Sequence, residues 1–261
     1  MSVLSDILAR KRERVAEAKS KVSLDQVRDS ARELRRTSRP HRFREALQVE
    51  GPNIIAEFKR RSPSKGVIRA DVEVEQLVTA YRAGGAAAIS VLTEEDYFDG
   101  SLEDLRRVKK TVDLPVLRKD FLFDEYQIFE AAVNGAEAIL LIVAALDAQT
   151  LSQLRQLAED ELGIDALVEV HDETEMQRAA AIGATIIGVN NRNLHTFEVT
   201  LQTSVRLAQV APAGTILISE SGLRNAADLK LLKDVGYQGF LIGETLMRAQ
   251  QPELLLKSLI A

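Results

Sequence analysis

The sequence predicts an α/β fold, a (β/α)8 TIM barrel with an extra helical N-terminal extension, and three observations carry the prediction. Eight short apolar runs follow one another from residue 54 onward, at 54–59, 87–93, 115–119, 138–144, 165–170, 186–190, 215–220 and 239–243. Their starts are separated by 33, 28, 23, 27, 21, 29 and 24 residues, and each gap holds a stretch of helical period, such as 147–161 or 225–234. Helices end in Gly84-Gly85, Gly135-Ala136, Gly183-Ala184 and Gly236, at spacings of 51, 48 and 53 residues, so the pattern repeats about every two units. Continuous apolar runs suit parallel strands buried on both faces, and glycine suits the left-handed residue that ends a helix. Eight even βα units match a barrel of ~250 residues. An open doubly wound sheet would carry a glycine-rich fingerprint after its first strand; Arg60-Arg61-Ser62-Pro63 stands there instead.

The extension occupies residues 1–50 and the barrel residues 51–261, read as one domain. Leu4, Leu8, Val15 and Ala18 share one helical face, and Ser23 with Gln26 forms a capping box for a second helix. Pro40 interrupts, a short helix is predicted over 43–49, and Gly51-Pro52 closes the extension. Residues 1–44 hold thirteen Lys/Arg against six Asp/Glu, a net of +7, which leaves −12 for the rest of a chain whose net charge is −5. Such a run reads as a solvated helical arm. Stacking aromatics are nearly absent from it, with Phe43 alone, which argues against single-strand nucleic-acid binding. Its six acids argue against an organelle-targeting peptide.

Composition narrows the function. With no cysteine the chain has no disulfides and no Cys-ligated metal, and its three histidines, His41, His171 and His195, are too far apart for a short metal motif. The longest uncharged apolar run, 138–146, is far shorter than a membrane span. A cytoplasmic, metal-independent protein is expected.

Barrel active sites form where strands end, so polar groups at those ends are informative. Side chains two apart in a strand share a face, which projects Glu57 with Lys59, aligns Lys119 with Leu117, and aligns Glu169 with Leu167. Asn190 ends the sixth run and Glu220 the seventh. Gathering two ammonium groups and three carboxylates in one pit costs desolvation that a fold alone does not require, and their proximity would shift pKa values as acid–base chemistry needs. Ser221-Gly222 after the seventh strand and Gly243-Glu244 after the eighth each open a helix, where backbone N–H groups can hold an anion, so a phosphorylated ligand is expected.

These residues resemble the indole-3-glycerol-phosphate synthase family. The most specific match is Glu57-Phe58-Lys59-Arg60-Arg61-Ser62-Pro63-Ser64-Lys65-Gly66, with the family's E-x-K-R-x-S-P-S-x-G signature. Leu117-Arg118-Lys119-Asp120-Phe121, Glu169-Val170-His171, Gly188-Val189-Asn190-Asn191-Arg192 and Ser219-Glu220-Ser221-Gly222 match in order and spacing. The resemblance implies ring closure with decarboxylation and dehydration of 1-(2-carboxyphenylamino)-1-deoxyribulose 5-phosphate, without metal or cofactor. It implies Lys119 as general acid, with Glu57, Lys59 and Glu169 as candidates for the later proton transfers and Asn190 and Glu220 as orienting groups. Phosphate falls to Lys59, Ser62, Ser221 and the loops around Gly222 and Gly243, the substrate carboxylate to Arg192, and the aromatic ring to walls of Phe98, Phe121 and Leu140. Glu244 departs from relatives that carry a small hydroxyl residue there, so its charge must turn away from a phosphate.

The implied partner is one small anionic substrate, with no nucleic acid and no membrane, acted on by a monomer or weak homo-oligomer. The resemblance also sets the arm over the barrel mouth, where its charge would draw the substrate in. Two rivals are a barrel that isomerises a sugar-phosphate amine and a non-enzymatic barrel that binds a phosphorylated ligand or RNA.

Overall fold

The computed structural model describes residues 3–194 and 196–261; His195 and residues 1 and 2 lie outside it. Eight parallel strands close into a barrel in sequence order: β1 (Asn53–Phe58), β2 (Ala88–Leu92), β3 (Val116–Lys119), β4 (Ala138–Ile142), β5 (Asp165–Val170), β6 (Ile186–Asn190), β7 (Ile216–Glu220) and β8 (Gly239–Ile242). The ring closes where Asn53 of β1 registers with Gly239 of β8 and Ala56 with Ile242. The strand ends lie within a residue or two of the predicted runs. Residues 143 and 144, expected to end the fourth strand, fall in a 3-10 turn, Val143–Ala145, instead.

Alternation along each strand sorts the side chains as the pleat requires. Ile54, Ala56 and Phe58 of β1 join the outer core beneath the helices. Ile55 joins Leu117, Ala138, Leu140, Leu167, Ile186, Ile218 and Leu241 inside the barrel. Each of these side chains contributes about 1.5–3 kcal/mol if Leu- or Ile-sized and fully buried. Together they make a dry floor beneath the mouth.

Between the strands run α4 (Val74–Ala83), α5 (Leu102–Thr111), α6 (Glu125–Val133), α7 (Ala148–Gln156), α8 (Glu173–Ala181), α9 (Gln202–Ala208) and α10 (Ala226–Asp234). The eighth strand is followed by α11 (Glu244–Arg248) and α12 (Pro252–Ile260). Ser101, Asp124, Asp147, Asp172 and Asn225 cap α5, α6, α7, α8 and α10 through side-chain oxygens. Gly85, Gly135, Gly183 and Gly236 take positive φ where the preceding helices end. The helix predicted over 147–161 is α-helical only to Gln156, then widens into a π turn, Leu157–Glu161. The wider turn carries Glu159 inward, where it accepts from Ala166 N and Thr185 Oγ1 and pairs with Arg155 at 2.7 Å.

The extension forms α1 (Val3–Lys21), α2 (Leu24–Arg36) and α3 (Arg42–Leu47), and the Ser23–Gln26 capping box is present. The third helix is shorter than the predicted 43–49 because Asn53 Nδ2 donates to Leu47 O at 2.9 Å and Val49 O at 3.0 Å, drawing the chain off its helical path. The extension wraps the barrel from end to end. Val3, Leu4 and Ile7 of α1 lie over the mouth, α2 packs along α6, and α3 inserts Phe43 and Leu47 into the opposite end of the interior. The expectation that the arm covers the mouth therefore holds for α1 alone.

The arm's cations meet barrel carboxylates: Lys11 with Asp120 and Glu95, Arg14 with Asp96, Lys19 with Asp124, Arg32 with Glu161, and Arg42 with Glu137 and Asp113. Part of the charge asymmetry of +7 against −12 thus serves to dock the arm on the barrel.

Candidate active site

The mouth is built from inward-facing strand ends. Glu57 is the last inward residue of β1, and Lys59 follows one residue beyond the strand; its Nζ donates to Glu57 Oε1 at 2.6 Å. Ser90 of β2 donates to the other Glu57 oxygen at 3.3 Å. Lys119, at the end of β3, reaches across the barrel to Glu220 Oε2 of β7 at 2.7 Å and to Glu169 Oε2 of β5 at 3.6 Å. Asn190 ends β6, and its Oδ1 accepts from Ser221 Oγ at 2.9 Å and from Arg192 N at 3.0 Å. The six residues predicted to carry chemistry thus share one cavity of about 830 Å³.

Two glycines make room for this set. A Cβ on Gly188 would stand 2.2 Å from Glu220 Oε1, and one on Gly243 would stand 2.3 Å from Glu57 Oε1 and 3.2 Å from Lys59 Nζ. Gly243, expected to let an anion approach the backbone, therefore also clears space for the Glu57–Lys59 pair.

Burial alone would raise all three carboxylates and lower the Lys119 ammonium. Lys59 and Lys119 outweigh it at Glu57 and hold that carboxyl below its ordinary value. Lys119 and His171 do the same at Glu169. At Glu220 burial prevails against Lys119, helped by the charges of Glu169 and Glu57, and pushes its carboxyl up. Glu220 Oε1 is buried without a hydrogen-bond partner among the described residues, as a proton-carrying or substrate-facing oxygen would be. Lys119 ends well above its ordinary value because Glu220, Glu169 and Glu57 outweigh its burial.

The predicted substrate-contacting residues line the same cavity: Ser62, Phe98, Phe121, Leu140, Arg192, Ser221, Gly222, Gly243 and Glu244. Phe98 and Phe121 sit 6.1 Å apart with rings tilted by 40°. With Leu140, Ile142 and α1 overhead, they give one side of the cavity apolar walls. Glu244 pairs with Arg248 at 3.0 Å, and both line the cavity. Arg60 of the signature stays outside: it grips Asp104 through two hydrogen bonds of 2.6 and 2.8 Å and stacks 4.6 Å over Phe58, anchoring the loop that presents Ser62.

Several residues of the site were not singled out for a role from sequence. Ser90 is a small polar residue within an apolar run, a faint signal. Lys11 of α1, buried beside Asp120 at 2.9 Å, stands on the apolar face between Leu8 and Val15, a position that marks it for inward burial. Asp120 also accepts from Thr93 Oγ1 at 2.6 Å and pairs with Arg118 at 3.1 Å, and these cations hold its carboxyl down at about 2 against its burial. His171, given no catalytic role from sequence, pairs with Glu169 and Glu175.

Comparisons with known proteins agree with this geometry. The family model described as indole-3-glycerol phosphate synthase matches residues 4–259. The chain is 45% identical over 263 residues to the indole-3-glycerol phosphate synthase of Carboxydothermus hydrogenoformans, covering 99% of each. Among solved structures it is similar to KGPDC from Streptococcus mutans, with a TM-score of 0.60, 16% identity, and coverage of 80% of this chain and 96% of the other. It is also similar to a thiamine phosphate pyrophosphorylase from Pyrococcus furiosus, with a TM-score of 0.58, 15% identity, and coverage of 80% and 93%. These two likenesses show the fold: a closed parallel barrel. The full-length match, together with the strand-end set at the mouth, identifies the chain as a member of the indole-3-glycerol phosphate synthase family.

Proposed function

We propose that the protein closes the indole ring of indole-3-glycerol phosphate from 1-(2-carboxyphenylamino)-1-deoxyribulose 5-phosphate, releasing carbon dioxide and water, with Lys119 as the general acid. The observation that carries this reading is the pair of ammonium groups and three carboxylates converging beneath an apolar-walled cavity. Ring closure makes an aromatic carbon attack a ketone, and the oxygen becomes an alkoxide. Lys119, flanked by Glu220 and Glu169, is a full ammonium at neutral pH, so it can stabilise that oxyanion and then protonate it. An alkoxide is basic enough to take a proton even from an ammonium held this firmly.

Loss of carbon dioxide is favoured where the carboxylate is poorly solvated. Phe98, Phe121 and Leu140 provide that surrounding, while the Arg192 guanidinium fork orients the group. The departing hydroxyl then needs one proton and the ring system gives one up, and Glu57, Lys59 and Glu169 serve these transfers. Asn190 orients the sugar hydroxyls. Phosphate is held by Lys59, Ser62 and the backbone near Ser221, Gly222 and Gly243, with Glu244 kept off it by Arg248. Among the described residues no helix is long and apolar enough to cross a membrane. A cytoplasmic enzyme acting alone or as a weak homo-oligomer completes the proposal.

The test is direct. The purified protein, in chelator-treated buffer, is expected to generate indole fluorescence from the carboxyphenylamino-ribulose phosphate. Absence of turnover by folded protein would overturn the reading.

A further inference from the structure

His171 is a titratable group at the barrel's mouth end for which the chemistry above has no use. It follows β5 directly and stands buried between two carboxylates. Its Nδ1 lies 3.0 Å from Glu175 Oε2, an oxygen that also accepts from the His171 backbone N–H at 2.8 Å. Its Nε2 is buried and faces Glu169 Oε1 at 3.4 Å, within ion-pair distance but outside hydrogen-bond geometry. The other Glu169 oxygen, Oε2, faces Lys119 Nζ at 3.6 Å. Glu175 sits in the first turn of α8, whose start Asp172 caps, so the partner holding the ring is itself fixed.

We infer that His171, clamped by Glu175, is a positioning residue: as an imidazolium it holds Glu169 ionised, with Oε2 turned toward Lys119 and the substrate cavity. With Nδ1 bonded to one carboxylate, a second carboxylate facing Nε2 is favourable only while that nitrogen also carries a proton. The charged groups that act on it are Glu169 from its own strand and Glu175 from α8; Lys119 of β3 lies beyond Glu169. Burial works against the charge, but the two carboxylates reverse it and push the imidazole up to about 10. The two carboxylates beside Lys119 are thereby made unlike. Glu169 has a cation on each side and remains the anion that accepts a proton. Glu220 has Lys119 alone, its second oxygen has no partner among the described residues, and burial pushes its carboxyl up. This assignment deepens the proposed function and rests on it.

The experiment compares the pH dependence of kcat and KM for the unaltered enzyme, His171→Asn and Glu175→Gln, with an NMR titration of the His171 ring in the unaltered enzyme. His171→Asn is expected to lower kcat by ~10- to ~100-fold through misplacement of Glu169, with KM little changed. The acidic limb of its kcat profile should move up by roughly one pH unit, because Glu169 loses a depressing cation. Glu175→Gln should shift the same limb by less, and the native ring should stay charged through neutral pH. A His171→Asn profile that keeps its shape and is merely scaled overturns the inference, as does a native ring that titrates near 6.5. If His171→Asn does not fold, Glu175→Gln and the titration decide. If the unaltered enzyme does not turn over the substrate, the proposed function fails while the titration still reports on His171.

Discussion

The barrel is charged at both ends, and the ends differ in how the charge is satisfied. At the floor, Asp165 opens β5 with no exposed side-chain surface; it accepts from Arg44 N at 2.8 Å and pairs with His41 at 2.9 Å. Beside it Glu137 takes Arg42 at 2.7 Å and Lys109 at 2.8 Å. These acids are matched by cations or backbone donors, and Phe43 and Leu47 plug the interior between them. At the mouth, three carboxylates share two ammonium groups, one Glu220 oxygen has no partner among the described residues, and a cavity stands open above. Buried charge is therefore not in itself a sign of function. Incomplete satisfaction around an accessible cavity is the sign, because a fold under no other demand would have paired or removed those groups.

That contrast can be broken by substitution. Lys119→Ala should lower kcat by at least ~10²-fold in the protein that remains folded, the usual worth of a positioned general acid. A loss well below that moves the acid role to another residue. Asp165→Ala should do the reverse. It strips His41 and the Arg44 N–H of their partner and should cost about 3 kcal/mol of stability, measured by denaturant unfolding, with kcat unchanged in the protein that remains folded. A large fall in kcat at unchanged stability would show that the floor reaches the chemistry. Arg192→Ala removes a charge-assisted contact worth ~1.5–3 kcal/mol, so KM should rise about tenfold or more while kcat moves less. An unchanged KM would refute its carboxylate role.

How much of this was legible in sequence follows the same division. A charge inside an apolar run is costly, so Glu57, Lys119, Glu169 and Glu220 stand out locally, and the two-residue period of a strand says which way they point. Lys59 lies one step beyond β1 and still obeys that period. The barrel was legible for a related reason: eight runs buried on both faces admit few arrangements. The path of the extension was not. Helical period shows that α1 has an apolar face but not what that face meets, and α3 could be read as a helix without showing that it seals the far end. Lys11 sits on the apolar face of α1, yet its partners Glu95 and Asp120 are remote in sequence and only the fold joins them. His171 was overlooked for the opposite reason. Its partner Glu175 is four residues away, but spacing alone does not distinguish an ion pair that caps a helix from one that also aims a reacting carboxylate.

The sharpest measurement takes Glu220→Gln and follows both kcat and unfolding free energy across pH. The folded-state pKa of Glu220 is raised above its ordinary 4.5, so the folded protein holds the proton more tightly than the unfolded chain. Its contribution to stability is therefore lost as pH rises from about 4.5 through the raised value. Glutamine removes that loss and leaves Lys119 with Glu169. The expected result is a variant at least as stable as the unaltered protein, with its advantage growing as pH rises from about 4.5 through the raised value and level above it, and a kcat that has collapsed. A variant that is less stable at every pH and still turns over normally would mean that the mouth, like the floor, is only structure.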